Sequence, residues 1–232
     1  MAKIEKKKSK AAAAAATKQP KTAAKRKPAK AAKAKKTAAA FPAQAGAEKE
    51  QLLSSDVVFQ GPLFRICHDK LIEPGGYTSE RDVIRHNGSV VILAIDKSGS
   101  KKDPWIVIER QYRHAAQQYL WELPAGKLEP GEDPVEGAKR ELAEETGYSA
   151  KKWKLFVEYY PSPGFLGESM KVFLAEGLIA GEARPEEDEK IDFRLVRLSD
   201  LLKMIDKGAI YDGKTLSAVL LYARKASRRA KK

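Results

Sequence analysis

Three glutamates, Glu141, Glu144 and Glu145, stand at i, i+3 and i+4 in a stretch of helical pattern, so their side chains project from one face. Like charges at this spacing cost a helix about 0.2–0.5 kcal/mol per pair in water, so something should offset them. Arg140, one turn from Glu144, can pair with it but cannot neutralise all three. A hard divalent cation can. Mg²⁺, with Mn²⁺ as the alternative, takes oxygen ligands while keeping waters and substrate phosphates in its shell. The competing reading is a solvated acidic face, the ordinary fate of a glutamate-rich helix.

Presenting such a face requires a helix with fixed ends. Asp133 suits the N-cap, Pro134 the first helical position and Glu136 the place of a capping-box partner. Gly147 falls where a helix-ending glycine belongs. Val135, Ala138 and Leu142 form an apolar stripe for the core. Before this helix, strands are predicted at Val57 to Phe59, Phe64 to His68 and Asp82 to His86, divided by Gly61-Pro62 and Pro74-Gly75-Gly76. The β-branched runs Ser89 to Ile95 and Trp105 to Glu109 predict a hairpin, and Leu120 to Glu122 a further strand. After the helix, strands are predicted at Trp153 to Tyr159 and Lys171 to Ala175, then helices from Leu198 to about Lys207 and from Lys214 to Ala226. Without regular β-α alternation, the class is α+β.

The spacing around the helix carries more information than the helix itself. Gly126, five residues, Glu132, seven residues, Arg140-Glu141-Leu142, one residue, Glu144-Glu145, one residue and Gly147-Tyr148 resembles the Nudix box at every fixed position. Seven fixed letters at about 7% usage each coincide roughly once in a hundred million starts, so chance does not explain the match. Tyr148 replaces the family's usual aliphatic residue with another apolar one. The resemblance extends over about Val57 to Leu202 and implies an α/β/α sandwich with a mixed sheet. It also implies Glu141 and Glu145 as metal ligands, with Glu144 a further ligand or close neighbour. Arg140 would orient the carboxylates, the Ala125 carbonyl would join the metal, and Glu132 would fix the loop. In such a site Mg²⁺ bridges protein and phosphates and activates water, and a nearby carboxylate completes the deprotonation. A base of this kind is expected on a mobile element. The loop Pro161 to Met170 offers Gly164, Gly167 and a single carboxylate, Glu168. Its Ser162-Pro163-Gly164-Phe165 is similar to the loop of the ADP-ribose pyrophosphatase branch, which leaves Glu168 as base, ligand or both.

Three further segments resemble that branch: Pro163, fifteen residues past Tyr148, Arg110-Gln111-Tyr112-Arg113, and Trp121 to Gly126. The implied activity is hydrolysis of ADP-ribose to AMP and ribose 5-phosphate, or of a related nucleoside diphosphate sugar. Arg113 is the candidate phosphate-binding arginine, against a surface ion pair. Glu122 is a candidate contact to adenine or ribose, against a plain strand-end acid. Val57 to Arg85 resembles the strands by which such enzymes dimerise, making Arg81 or Arg85 candidates for nucleotide binding across a homodimer interface. Phe64 and Tyr77 could stack on a base, although packing is the commoner use.

Charge divides the chain differently. Met1 to Gly46 holds thirteen lysines, one arginine and one glutamate, a net +13 equal to that of the whole chain. Arg224 to Lys232 adds six basic residues, leaving the middle acidic. The chain therefore divides into a Lys/Ala/Pro-rich tail at 1–46, a catalytic domain at 47–223 whose first strands occupy 47–86, and a basic end at 224–232. The tail is expected to be disordered, because it lacks the apolar side chains that offset ordering entropy. It suits non-specific contact with nucleic acid or another polyanion, or plain solubility. A DNA-associated protein with an accessory Nudix domain is the alternative reading, against which stands the full set of box carboxylates. One cysteine, Cys67, excludes an intramolecular disulfide, and no apolar run reaches the roughly 20 residues of a membrane span. The expected location is the cytoplasm, with nucleoid association open.

Overall fold

A computed structural model of the chain describes residues 49–184 and 191–230; the basic tail, residues 1–46, lies outside them. Strands β1 (Gln51–Gln60), β2 (Arg65–Ile72) and β3 (Thr78–Arg85) form an antiparallel three-stranded sheet in that order. The turn between β2 and β3 has Gly75 and Gly76 at φ +101° and +86°, a conformation that side chains with a Cβ resist. β1 exceeds the predicted Val57 to Phe59 because it is exposed along nearly its whole length, so no one-sided alternation marks its start. Leu52, Leu53, Val57, Val58 and Phe59 are all at least half exposed on this edge.

The second sheet has seven strands. β4 (Ser89–Asp96), β5 (Trp105–Arg113), β6 (Gln118–Glu122) and β7 (Ala125–Lys127) precede helix α1 (Pro134–Thr146). β8 (Ser149–Tyr159), β9 (Met170–Ile179) and β10 (Asp192–Arg197) follow, then α2 (Leu198–Asp206) and α3 (Gly213–Ala230). The order is β10-β5-β4-β9-β8, with β6 beside β5 and β7 beside β4. β4 and β9 run parallel and the other pairs antiparallel, making the sheet mixed.

Alternation along β4 fills two cores. Val90, Ile92 and Ala94 pack with Val107 and Phe173 against Ala138 and Leu142 of α1. Val91, Leu93 and Ile95 pack with Ile106 and Ile108 against Leu198 and Leu201 of α2 and Ala218 and Val219 of α3. Helices thus cover both faces, as the α/β/α expectation holds. Each such aliphatic side chain contributes about 1.5–3 kcal/mol on burial. No described helix is long and apolar enough to cross a membrane.

The predicted hairpin of β4 and β5 forms only at its loop end, where Ile95 pairs with Ile106 and Asp96 with Trp105. Beyond that point the strands part. β6 continues along β5, with Glu109 opposite Glu122, and β7 takes the edge of β4, with Val90 opposite Gly126. Pro124 lies between these two short strands and accepts a hydrogen bond from Ile92 N–H at 2.8 Å. The residues read as a turn, Pro124-Ala125-Gly126, therefore enter a strand. That short strand and β10, largely exposed, carry no periodicity and were not legible. α3 runs past Ala226 to Ala230, so residues 224–230 of the basic end continue a helix.

Candidate active site

The ends of α1 are built as its sequence predicts. Asp133 Oδ1 accepts from Val135 N–H at 2.9 Å and Glu136 N–H at 3.3 Å, a cap worth about 1 kcal/mol. Gly147 closes the helix at φ +71°. Glu136 does not fold back in a reciprocal box; it pairs with Lys139 at 2.7 Å, because that lysine lies within the same exposed turn.

Between these ends, the helix turns its glutamates toward β7. A Cβ on Gly126 would lie 2.0 Å from the Glu141 carboxylate, so only glycine lets that carboxylate rest against the strand. This close approach, rather than a turn, is the reason for the residue. Glu145, 3% exposed, accepts a hydrogen bond from Ala125 N–H at 3.1 Å. Arg140 ties the remaining acids together. Its Nη1 donates to Glu141 at 2.8 Å and to Glu144 at 3.0 Å, while Nε and Nη2 grip Glu132 at 3.0 and 3.2 Å. Glu132 also accepts from Glu129 N–H at 2.9 Å, fixing the loop before the helix. The hydrogen bonds from Arg140 and Glu129 hold the Glu132 carboxyl below its ordinary range, and Glu132 in turn raises Arg140.

Among the described residues, no three acidic, His or Cys groups converge closely enough to form a ready-made cation cage. Arg140 sits as the counter-ion between Glu141 and Glu144. The donor set nevertheless suits a hard divalent cation. Its side-chain donors are carboxylate oxygens, one of them seated in the space left by the missing Cβ of Gly126.

Glu168 lies on the opposite side of β4. Ser89, the first residue of that strand, pairs with Lys127 of β7 on one side and Met170 of β9 on the other. Strand spacing of about 4.8 Å puts the Glu168 loop and the Gly126 strand at the same end of the sheet, about two strand widths apart. The loop is not the free element that its glycines predict. Ile84 N–H donates to Phe165 O at 2.8 Å and Gly167 N–H to Ile84 O at 2.9 Å, so its middle is stitched to the end of β3.

The other candidates separate. Glu122 is fully buried, and its carboxylate receives Arg113 Nε at 2.9 Å, Arg113 Nη2 at 2.7 Å and the Lys214 ammonium. Burial alone would raise its carboxyl, but Arg113 and Lys214 outweigh that effect and hold it below the ordinary value. In this structure it anchors the Arg113 guanidinium and the Lys214 ammonium. Arg113 keeps a partly exposed side chain, at 36%, with its orientation fixed from behind. Arg85, paired with Asp69, helps line an open groove of about 340 Å³ with Phe64, Arg65 and His86. Arg81 pairs with Glu73 and is not in that lining. Tyr77 is 62% exposed.

Sequence reasoning missed Glu109 and Lys214. Glu109 is fully buried, and its polar neighbours are Glu122, Lys214, Arg113 and Glu145. Burial and the adjacent Glu122 charge push its carboxyl up to about 8. The available signal was an acid ending the apolar run Ile106 to Ile108.

The NUDIX domain family matches residues 85–219. A protein of Bacillus subtilis (strain 168) named ADP-ribose pyrophosphatase is 37% identical over 186 residues, 79% of this chain and 98% of that protein. One of Bacillus methanolicus named methanol dehydrogenase activator is 37% identical over 173 residues, 74% of this chain and 91% of that protein. A crystal structure described as an ADP compounds hydrolase superposes with TM-score 0.67 at 20% identity, covering 80% of this chain and 98% of the other. This last likeness concerns the fold alone.

Proposed function

The chain belongs to the Nudix family, and within it we propose a magnesium-dependent hydrolase that splits the pyrophosphate of ADP-ribose into AMP and ribose 5-phosphate, or acts likewise on a related nucleoside diphosphate sugar. The observation that carries this reading is the seating of Glu141 on Gly126 and Glu145 on the Ala125 N–H, which brings two of the box acids to one strand edge. The Bacillus subtilis relative supports the choice of substrate.

Glu141 and Glu145, with Glu144 and the Ala125 carbonyl, would hold the divalent cation, which when bound neutralises phosphate charge and makes water more acidic. Before substrate arrives, Arg140 offsets the mutual repulsion of Glu141 and Glu144 and keeps both turned toward the site. Arg113, braced by Glu122, offers its guanidinium to a phosphate, which a planar donor holds through two oxygens. Glu168 takes the proton of the attacking water. Arg85 and Arg81, on β3, are the candidates for the nucleotide end of the substrate. The exposed apolar edge of β1 suits a second copy of the chain, since such an edge invites pairing. The basic tail adds salt-sensitive contact with nucleic acid or another polyanion and, through it, association with the nucleoid.

Turnover should be measured with Mg²⁺ across ADP-ribose, other sugar nucleotides, dinucleotides and nucleoside triphosphates. ADP-ribose or another sugar nucleotide should be hydrolysed best. Preference for a triphosphate by a wide margin would remove the substrate assignment.

A further inference from the structure

Ser89 carries the only hydroxyl at the start of β4, a strand otherwise made of apolar residues up to its terminal Asp96. A serine there is poorly explained by packing, because the strand is buried between two cores and Ser89 itself is 9% exposed. Its side chain instead meets Glu168: Ser89 Oγ donates to Glu168 Oε1 at 2.5 Å. The Glu168 side chain is 14% exposed, so the bond forms with little competition from water.

The backbone around Ser89 leaves it no freedom to drift. Ser89 N–H donates to Ser169 O at 2.9 Å, directly beside the residue that its side chain holds. The preceding Gly88 has φ +96°, and a Cβ there would press on Ser169 at 3.1–3.2 Å. Gly88 N–H donates to His86 Nδ1 at 3.0 Å, which fixes the imidazole beside the same loop. His86 Nδ1 lies 3.9 Å from Glu168 Oε1, too far for a hydrogen bond, so the hydroxyl of Ser89 makes the direct contact. Meanwhile Ile84 holds the loop one residue upstream of Glu168 through Gly167. The carboxylate is thereby held at the loop backbone and at one oxygen.

We propose that Ser89 is a positioning residue for Glu168, committing Oε1 to its hydroxyl so that Oε2 is presented to the attacking water. The inference rests on the reading of Glu168 as the group that acts on that water. A flexible glutamate samples several rotamers, and a base displaced by about 1 Å can lose much of its rate, so a bond that selects one rotamer before substrate binds acts on turnover rather than on affinity.

The test is a double-mutant cycle with Mg²⁺ and ADP-ribose, or whichever sugar nucleotide the full chain hydrolyses best. Ser89→Ala should lower kcat about tenfold and leave KM within about twofold. Ser89→Thr, which restores a hydroxyl, should recover most of that loss. Glu168→Gln should be much slower than either, and Ser89→Ala added to it should cause no further loss, because the hydroxyl would have no base left to place. Multiplicative losses in the double variant, or Ser89→Ala turning over within twofold of the native rate, would overturn the role of Ser89 while leaving Glu168 in place. A near-native rate for Glu168→Gln would instead overturn the reading of the base itself, and the inference with it. Thermal midpoints of all variants within a few degrees of native confirm that the comparison is between folded proteins.

Discussion

On α1, Glu141 and Glu144 share a single Arg140 and keep contact with solvent; on the sheet beneath, Glu109 and Glu122 are fully enclosed in the company of Arg113 and Lys214. The residue type is the same and the chemistry opposite. The helix acids share a counter-ion that is itself one-third exposed, with Glu141 at 12% and Glu144 at 40% exposure. Glu122 has no such exposure, and a buried carboxylate bound by two cations cannot release either without stranding a charge. Availability for chemistry is therefore decided by surroundings that spacing alone does not reveal. Glu145 lies between the two sets: nearly buried, anchored on Ala125 N–H, and adjacent to Glu109.

The sharpest way to break this contrast is Glu145→Gln. The variant keeps the shape and loses one charge, so it should fold normally while losing about a thousandfold in metal-dependent rate, about 4 kcal/mol of transition-state stabilisation. Steady-state kinetics beside a thermal melt measure both. Near-native turnover would place Glu145 with the structural acids.

The same change at Glu122 should invert the pattern. Removing its charge leaves Arg113 and Lys214 facing a neutral amide in a buried space, and such losses cost about 3 kcal/mol or more of folding stability. Urea unfolding should show it. Glu144→Gln, at a side chain 40% exposed, should move stability by less than about 0.5 kcal/mol. Equal effects at the two positions would erase the distinction between them.

The helix half of this comparison was legible in the sequence because its signals are local. The cap at Asp133, the glycine at 147 and the i, i+3, i+4 acids all lie within one element, and each is found where expected. The sheet half was not, because the contacts that close it over join residues 92 positions apart: Lys214 reaches Glu122 and Thr215 Oγ1 accepts from Leu123 N–H at 2.8 Å. The parting of β4 from β5 is equally non-local, and it is the event that places Gly126 beside Glu141. For Glu122 the sequence leaves a nucleotide contact and a plain strand-end acid both open, and it does not display the buried pairing with Arg113 and Lys214. The Glu168 loop was read as mobile from Gly164 and Gly167, whereas pairing with Ile84 holds it.

Among the enclosed acids the smaller effect belongs to Glu109, and its sign separates it from the helix acids. Its carboxyl is raised to about 8, so the folded chain keeps a proton that the unfolded chain releases near pH 4.5. The resulting stability is fully present below about pH 4.5 and is lost as pH climbs toward 8, at up to about 1.4 kcal/mol per pH unit. Glu132, held low by Arg140, acts with the opposite sign and in a lower window, contributing stability above the ordinary carboxyl range that fades as pH falls through its depressed value. His68, raised by its bond to Asp82, slopes in the same direction as Glu109, so the group must be isolated by subtraction. In metal-free buffer the native chain should lose about 2 kcal/mol between pH 6 and 8 relative to Glu109→Gln, an amide that cannot ionise, with urea midpoints reporting the difference. Parallel curves for the two proteins would mean that Glu109 is solvated or charged in the fold, and that the sheet acids are no more confined than those of the helix.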